Sequence, residues 1–450
     1  MRKLLAAGLL LSTALAASMT IQPAAAGDEG KAFEAVLAGH AVLPAKTLIP
    51  APADAPESLK TSGKYTGKTP ARIAGEPTDG DALPFNGQPV QGFSGIKTLG
   101  DGTYFVGTDN GFGKKVNSPD AMLMVHTIKP DFAKGTIEMV KTTFISDPDK
   151  VIPFVIVNEG TDTRYLTGAD LDVEGFQPIG DKIYIGDEFG PYVIAVDAAS
   201  GKVTDFFETE VNGKTVRSPD NYAVQLPNPD GARPDYNLKR SKGFEGFAQS
   251  MDGTKLYGLL EGPLFDDKEG AYENIGGVDA SRIVEFDVAK GAWTGRSWLY
   301  PFAANGHAIG DFNMIDETRG LVIERDDGQG DAELACKDGA SEGCFKEPAT
   351  FKRIYMISFD GVEADQPVKK VGYIDLMDIK DPDGLARLGK REDGRFTFPF
   401  VTIENVDKVD DETIVVGNDN NFPFSKGRDV SALDNNEMVI LKVGDFLKAH

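Results

Sequence analysis

The chain has 450 residues, with 70 acidic against 47 basic side chains and a formal net charge of −23. A surface this acidic repels nucleic acid and anionic lipid, which excludes both as partners, and it attracts divalent cations. Fifty-one glycines and 26 prolines, with no long amphipathic helical period, describe a turn-rich β chain.

Arg2 and Lys3 precede an apolar run from Leu4 to Ala17, and Ala24-Ala25-Ala26 offers a small-residue cleavage site before Gly27. Residues 1–26 therefore read as a secretory signal peptide, too short in its apolar part to span a bilayer, and the mature chain is expected to be periplasmic or secreted. Residues 27–72 are rich in Ala and Pro and are expected to form an extended lead-in, with one short helix around Lys31 to Leu37. Residues 73–450 are expected to form a single repeat domain.

Within that domain a short run of constant grammar recurs. It is legible at Phe93-Ser94-Gly95-Ile96, Glu174-Gly175-Phe176, Glu245-Gly246-Phe247, Asp311-Phe312-Asn313 and Glu404-Asn405-Val406. Each copy leads through a tight turn into an apolar strand that closes on a polar or acidic end, at Asp109, Asp187-Glu188, Glu261, Glu324 and Asn418-Asp419. Third strands also resemble one another, as in Val193-Ile194-Ala195-Val196-Asp197, Ile283-Val284-Glu285-Phe286-Asp287 and Ile354-Tyr355-Met356-Ile357-Ser358. A hairpin cannot bury both faces alone, so repeated units of this size predict an all-β propeller of four-stranded blades. Five blades are legible, and a sixth has room in the insertions Ser218 to Lys242 or Cys336 to Phe351. The last block ends after three strands, and a strand near Thr69 to Ala74 is expected to supply the fourth.

The start of the first strand and the finish of the second are neighbours in a hairpin. Glu174, Glu245 and Glu404 should therefore share one mouth of the channel with Asp109, Asp187, Glu188, Glu261, Glu324 and Asp419. Carboxylates crowded in this way raise one another's pKa, and a hard cation such as Ca²⁺ relieves them, with Asn418 as a neutral oxygen ligand. The competing reading is turn chemistry, in which Asp and Asn side chains only satisfy backbone N–H groups.

A serine nucleophile is disfavoured. Ser94 lacks the closing Gly of a nucleophile elbow, and Gly339-Ala340-Ser341-Glu342-Gly343 has the letters without the strand–turn–helix context. His40 falls in the lead-in and His126 in an apolar strand, where a packed histidine is expected. Only His307 adjoins a predicted acidic position. Lys114, Lys115, Arg325, Lys426 and Arg428 are the cations nearest the motifs. Cys336 and Cys344, the only cysteines, are expected to close a local disulfide in an oxidising compartment.

The runs Asp172-Val173-Glu174-Gly175-Phe176, Ile185-Gly186-Asp187-Glu188-Phe189-Gly190, Gly243-Phe244-Glu245-Gly246-Phe247, Leu260-Glu261-Gly262-Pro263, Ile403-Glu404-Asn405 and Asn418-Asp419-Asn420-Asn421-Phe422 resemble the bacterial phytase-like family ("esterase-like activity of phytase"). The resemblance covers Gln88 to Val443. It implies an exported β-propeller that hydrolyses ester or phosphoester substrates. The expectation is a monomeric, metal-dependent hydrolase of a small ester, with Ca²⁺ held by the carboxylate ring. Its catalytic candidates are Glu174, Glu188, Glu245, Glu261, Arg325 and His307. The alternative is a non-catalytic periplasmic binding propeller that carries a structural Ca²⁺ or a cationic ligand.

Overall fold

The computed structural model describes residues 30–66, 83–225, 235–337, 339–340 and 342–450. Among these residues the chain forms five four-stranded antiparallel meanders. The first runs Ile96–Thr98, Tyr104–Gly107, Met124–Asp131 and Thr136–Phe144. The second runs Val173–Ile179, Lys182–Asp187, Tyr192–Asp197 and Val203–Glu208. The third has Phe244–Gln249, Lys255–Leu260, Val278–Asp287 and Ala292–Pro301. The fourth has Ala308–Met314, Arg319–Arg325, Lys352–Ser358 and Lys369–Asp375.

The fifth meander supplies Ile403–Lys408, Thr413–Asn418 and Asn436–Lys442 from the end of the chain, and takes its outer strand, Val36–Leu43, from the beginning. The ring-closing strand thus comes from 36–43, and not from the expected Thr69 to Ala74, which lies outside the described residues. The helix expected at Lys31 to Leu37 is replaced by the strands Lys31–Phe33 and Val36–Leu43. Its residues are good helix formers, but Lys31–Phe33 adds in parallel to the edge of Lys369–Asp375 and Val36–Leu43 adds to the edge of Asn436–Lys442, and tertiary pairing outweighs local propensity. The signal segment 1–26 also lies outside the described residues. No described helix is long and apolar enough to cross a membrane.

Period-two alternation explains the stacking of the sheets. In Tyr192–Asp197, Ile194 and Val196 pack toward the core shared with the first meander, while Val193 and Ala195 face the core shared with the third. Ile354 and Met356 face the fifth meander, whereas Tyr355 and Ile357 face the third. Each middle strand is buried on both sides, which is why it reads as a continuous apolar run.

The five innermost strands touch in cyclic order, so the ring closes around an axis. That axis is stitched by polar side chains. Asn313 Nδ2 donates to the carbonyls of Ile96 (3.1 Å) and Val406 (2.9 Å), and Gln177 Nε2 donates to Asn313 Oδ1 at 2.9 Å. Crowding here sets the motif glycines. A Cβ on Gly175 would come within 2.7 Å of the Phe247 Cβ, and one on Gly246 within 2.6 Å of the Phe312 Cβ. Neither insertion held in reserve for a sixth blade forms one among the described residues. The second carries the Cys336–Cys344 disulfide, as expected.

Candidate functional site

One irregularity recurs in the hairpins and creates the site. In the second meander Gly175 pairs with Gly186 and Val173 with Asp187, so Glu174 is the extra residue of a β-bulge. Glu245 is skipped in the same way between Phe244 and Gly246, and Glu404 between Ile403 and Asn405. A bulged residue leaves the ladder and its side chain is re-aimed. Three glutamates from three meanders are thereby turned toward one mouth of the ring.

The second contribution comes one residue beyond the partner of each pre-bulge position. Asp187 pairs with Val173 and is followed by Glu188; Leu260 pairs with Phe244 and is followed by Glu261; Asn418 pairs with Ile403 and is followed by Asp419. The fourth meander departs from this rule. Its bulge falls on Gly310, Ile309 pairs with Glu324, and the residue that follows is Arg325. In the first meander Ser94 holds the matching place, its N–H bonded to the Gly107 carbonyl.

The carboxylates meet. Oxygen atoms of Asp172, Glu174 and Glu188 lie within 4.8 Å of one another, as do those of Glu174, Glu245 and Glu404, and those of Glu188, Glu245 and Glu261. Glu174, Glu188 and Glu245 each belong to two of these groups, so the three groups form one continuous cluster. All six residues are buried. Burial, followed by the fields of neighbouring carboxylates, pushes Glu174, Glu188, Glu245 and Glu404 well above the usual carboxylate range. Burial also raises Asp172, and lifts Asp419 to about 6 and Asp187 to about 7.

Two cations border the cluster. Lys242 Nζ bonds Glu261, and Arg325 Nη2 lies 4.0 Å from Glu404 Oε1. Ser94 Oγ donates to Glu404 Oε2 at 3.0 Å. Six buried carboxyl groups against two cations concentrate oxygen donors in one place, which is the donor set that a hard divalent cation takes. The residues present fit such an ion.

The remaining expected residues take other positions. Asp187 accepts the backbone N–H groups of Asp172 (2.9 Å) and Gly190 (2.6 Å), and so holds the loop that presents Asp172 and Glu188. Asn418 accepts from the Glu437 N–H and donates to the Asp419 and Asn435 carbonyls. Asp109 accepts from the Gly111 N–H, and its charge reaches Glu174 and Glu404. Asp419 accepts from the Asn421 N–H at 2.6 Å and lies close enough to raise Glu404.

Glu324, expected at the ring, is one register position away from it. Its carboxylate accepts from Tyr300 Oη (2.7 Å), the Ala303 N–H (2.7 Å), Lys370 Nζ (2.8 Å) and His307 Nδ1 (2.7 Å). A shift of one residue turns a side chain to the other face of a strand, and Arg325 stands where the acidic pattern placed Glu324. His307 is consequently held at Glu324 and stacked on Phe351, with ring centroids 4.2 Å apart. His126 lies between Thr108 and Thr142 as a packed core histidine, and Arg428 pairs with Glu437.

Asp172 and Lys242 were not anticipated as site residues. Asp172 had a signal, since it lies two residues before Glu174 in a recurring motif. Lys242 had none beyond its position just before Gly243-Phe244-Glu245.

Several solved structures align with the chain at low identity. The propeller of Dos1 aligns with a TM-score of 0.29 at 10% identity, covering 80% of this chain and 70% of that one. Hydrazine synthase of Kuenenia stuttgartiensis aligns at 0.30 and 11% identity, covering 74% and 78%. A structural-genomics protein of unknown function from Bacteroides thetaiotaomicron aligns at 0.30 and 11%, covering 82% and 73%. No functionally curated protein matches the chain. The family model described as "Esterase-like activity of phytase" matches residues 88–422, across the four bulged hairpins and the carboxylates gathered at the mouth, and the chain belongs to this phytase-like family.

Proposed function

We propose that the protein is an exported, metal-dependent hydrolase of small phosphoester or carboxyl-ester substrates, acting as a monomer at the carboxylate mouth of the propeller. The observation that carries this reading is the meeting of six buried carboxylates within three overlapping groups. Glu174, Glu188 and Glu245 would hold the cation, Ca²⁺ in this reading, with Asp172, Glu261 and Glu404 around them. Bound there, such an ion polarises an ester oxygen and makes nearby water more acidic.

The chain's own groups supply the rest. In hydrolysis a water oxygen bonds to the phosphorus or acyl carbon, the ester bond breaks, and the water proton ends on the departing alcohol. A carboxyl at the edge of the cluster that does not hold the cation can take up the water proton and pass it to the departing alcohol, which makes Glu261 the acid–base candidate. Lys242 and Arg325 offset charge that develops on the substrate. Ser94 positions Glu404 and has no imidazole to activate it, because His40, His126 and His307 are engaged with Glu437, two threonines and Glu324.

Depth of burial favours a second reading, a binding propeller in which the same carboxylates hold a structural ion. Hydrolysis of aryl phosphate and aryl acetate by purified protein, with Ca²⁺ and after chelation, separates the two. Turnover that disappears on chelation and returns with Ca²⁺ supports the hydrolase. Ca²⁺ binding with no turnover on either ester supports the binding propeller.

A further inference from the structure

We infer that the protein carries a second binding site, on the flank of the propeller between the second and third meanders, and that it takes a small alkylated ammonium ion. A cavity of about 430 Å³ lies there beside the edge strand Val203–Glu208. Five rings, those of Phe206, Phe207, Tyr222, Phe286 and Trp293, line it together with two carboxylates, Glu208 and Glu210. No described lining residue is basic. Arg217, the cation whose field reaches Tyr222, is held by Asp235 at 2.5 Å. None of the lining residues belongs to the carboxylate cluster, so the site stands apart from the hydrolase reading.

Glu208 supplies the charge. Its Oε1 is buried and has no hydrogen-bond partner. A desolvated carboxylate oxygen is costly unless a donor or a cation meets it. The surroundings do not suit a hard metal ion, which needs six or more oxygen ligands. They suit a weakly hydrated cation whose alkyl groups rest on aromatic faces.

The rings form walls around the cavity. Phe206 meets Tyr222 at 65°, Phe207 meets Phe286 at 62°, and Phe286 meets Trp293 at 72°. Planes set at such angles enclose a rounded group, the arrangement by which aromatic cages take quaternary ammonium ions. The walls are fixed before a ligand arrives. Trp293 Nε1 donates to the Glu208 carbonyl at 2.7 Å, and the Tyr222 N–H donates to Tyr192 Oη at 3.0 Å. Tyr222 is 45% exposed, which leaves its ring open to a ligand.

The test titrates the full mature chain, in the presence of Ca²⁺, with choline and with its uncharged isostere 3,3-dimethylbutanol. NMR follows the indole N–H resonances of the two tryptophans, Trp293 in the cavity and Trp298 outside it. Choline should shift the Trp293 resonance and leave Trp298 in place, and the isostere should bind about 10-fold more weakly. Glu208→Gln should weaken choline binding by about 10-fold and Tyr222→Leu by about 3-fold, whereas Glu245→Gln should leave it unchanged. Melting temperature reports folding; should Glu208→Gln lose the fold, Tyr222→Leu at its exposed position decides. No shift of Trp293 at millimolar choline, equal binding of the two probes, or binding that ignores both Glu208→Gln and Tyr222→Leu overturns the inference. Choline binding lost in Glu245→Gln alone would put the ammonium at the mouth and overturn it as well.

Discussion

Arg325 in the fourth meander holds the ladder position that Glu188 holds in the second, each being the residue after the partner of a pre-bulge position. The same backbone device therefore delivers an anion from one meander and a cation from another. What distinguishes the meanders at the mouth is side-chain identity alone, imposed on a repeated hairpin.

Cation binding should stabilise the fold by mass action, because the cluster exists only when several meanders are assembled. Ca²⁺ at about 100 times its Kd should add about 2.7 kcal/mol. Glu245→Gln, which touches two of the three carboxylate groups, should reduce the Ca²⁺-dependent rise in melting temperature, as should Glu174→Gln. Exposed Glu342 is the control, and Glu342→Gln should leave the response intact. Equal melting with and without Ca²⁺ in all four proteins would reduce the cluster to turn chemistry.

Glu324 should separate stability from cation response. Glu324→Gln removes one partner of a buried ion pair with Lys370 and weakens the bond from His307, at a cost of about 3–5 kcal/mol. Its Ca²⁺-induced shift in melting temperature should match the wild-type shift, since its carboxylate lies outside the cluster. A lost shift would return Glu324 to the ligand set.

The metal-free protein should become more stable on mild acidification. Burial and neighbouring charge raise the folded pKa of Glu174, Glu188, Glu245 and Glu404, and burial raises Asp419 to about 6. Between the unfolded carboxylate values of roughly 4 and these higher folded values, the folded state binds more protons than the unfolded state. This contribution is therefore fully present at low pH and is lost as pH rises through the folded values. Ca²⁺ should displace those protons. Calorimetry near pH 6 in buffers of different ionisation enthalpy should register proton release, and Ca²⁺ affinity should increase with pH. Release of no protons would show that the carboxylates are already ionised.

The disulfide should be peripheral to the site. Intact mass of exported protein should begin at Gly27 and lack two hydrogens, and native thiol titration should find no free cysteine. Reduction should leave the Ca²⁺-dependent melting shift in place, because neither cysteine touches the cluster. Loss of that shift on reduction would tie the loop to the mouth.

Repetition makes the propeller and three of the clustered glutamates legible. Glu174, Glu245 and Glu404 share a motif because a bulge is the local solution for aiming a side chain out of a crowded inner strand. Register is not legible to one residue in the fourth motif, where Glu324 reads as the ring residue and Arg325 holds that place. An acidic pattern in sequence does not reveal which of two adjacent residues follows the bulge. The closing strand was misplaced for a different reason. Lys31 to Leu37 has helical propensity locally, and the edges it joins, Lys369–Asp375 and Asn436–Lys442, lie far along the chain.

That partnership between Val36–Leu43 and Asn436–Lys442 imposes an order on assembly. Residues at the beginning must wait for nearly the last residues to be synthesised before the circle can shut, and loop closure over such a span is slow. Glu404 reaches the cluster only from that final meander, so an incomplete chain holds a broken arc of carboxylates and no finished cage. This late fastening keeps the carboxylate cluster incomplete until the whole chain is available to fold.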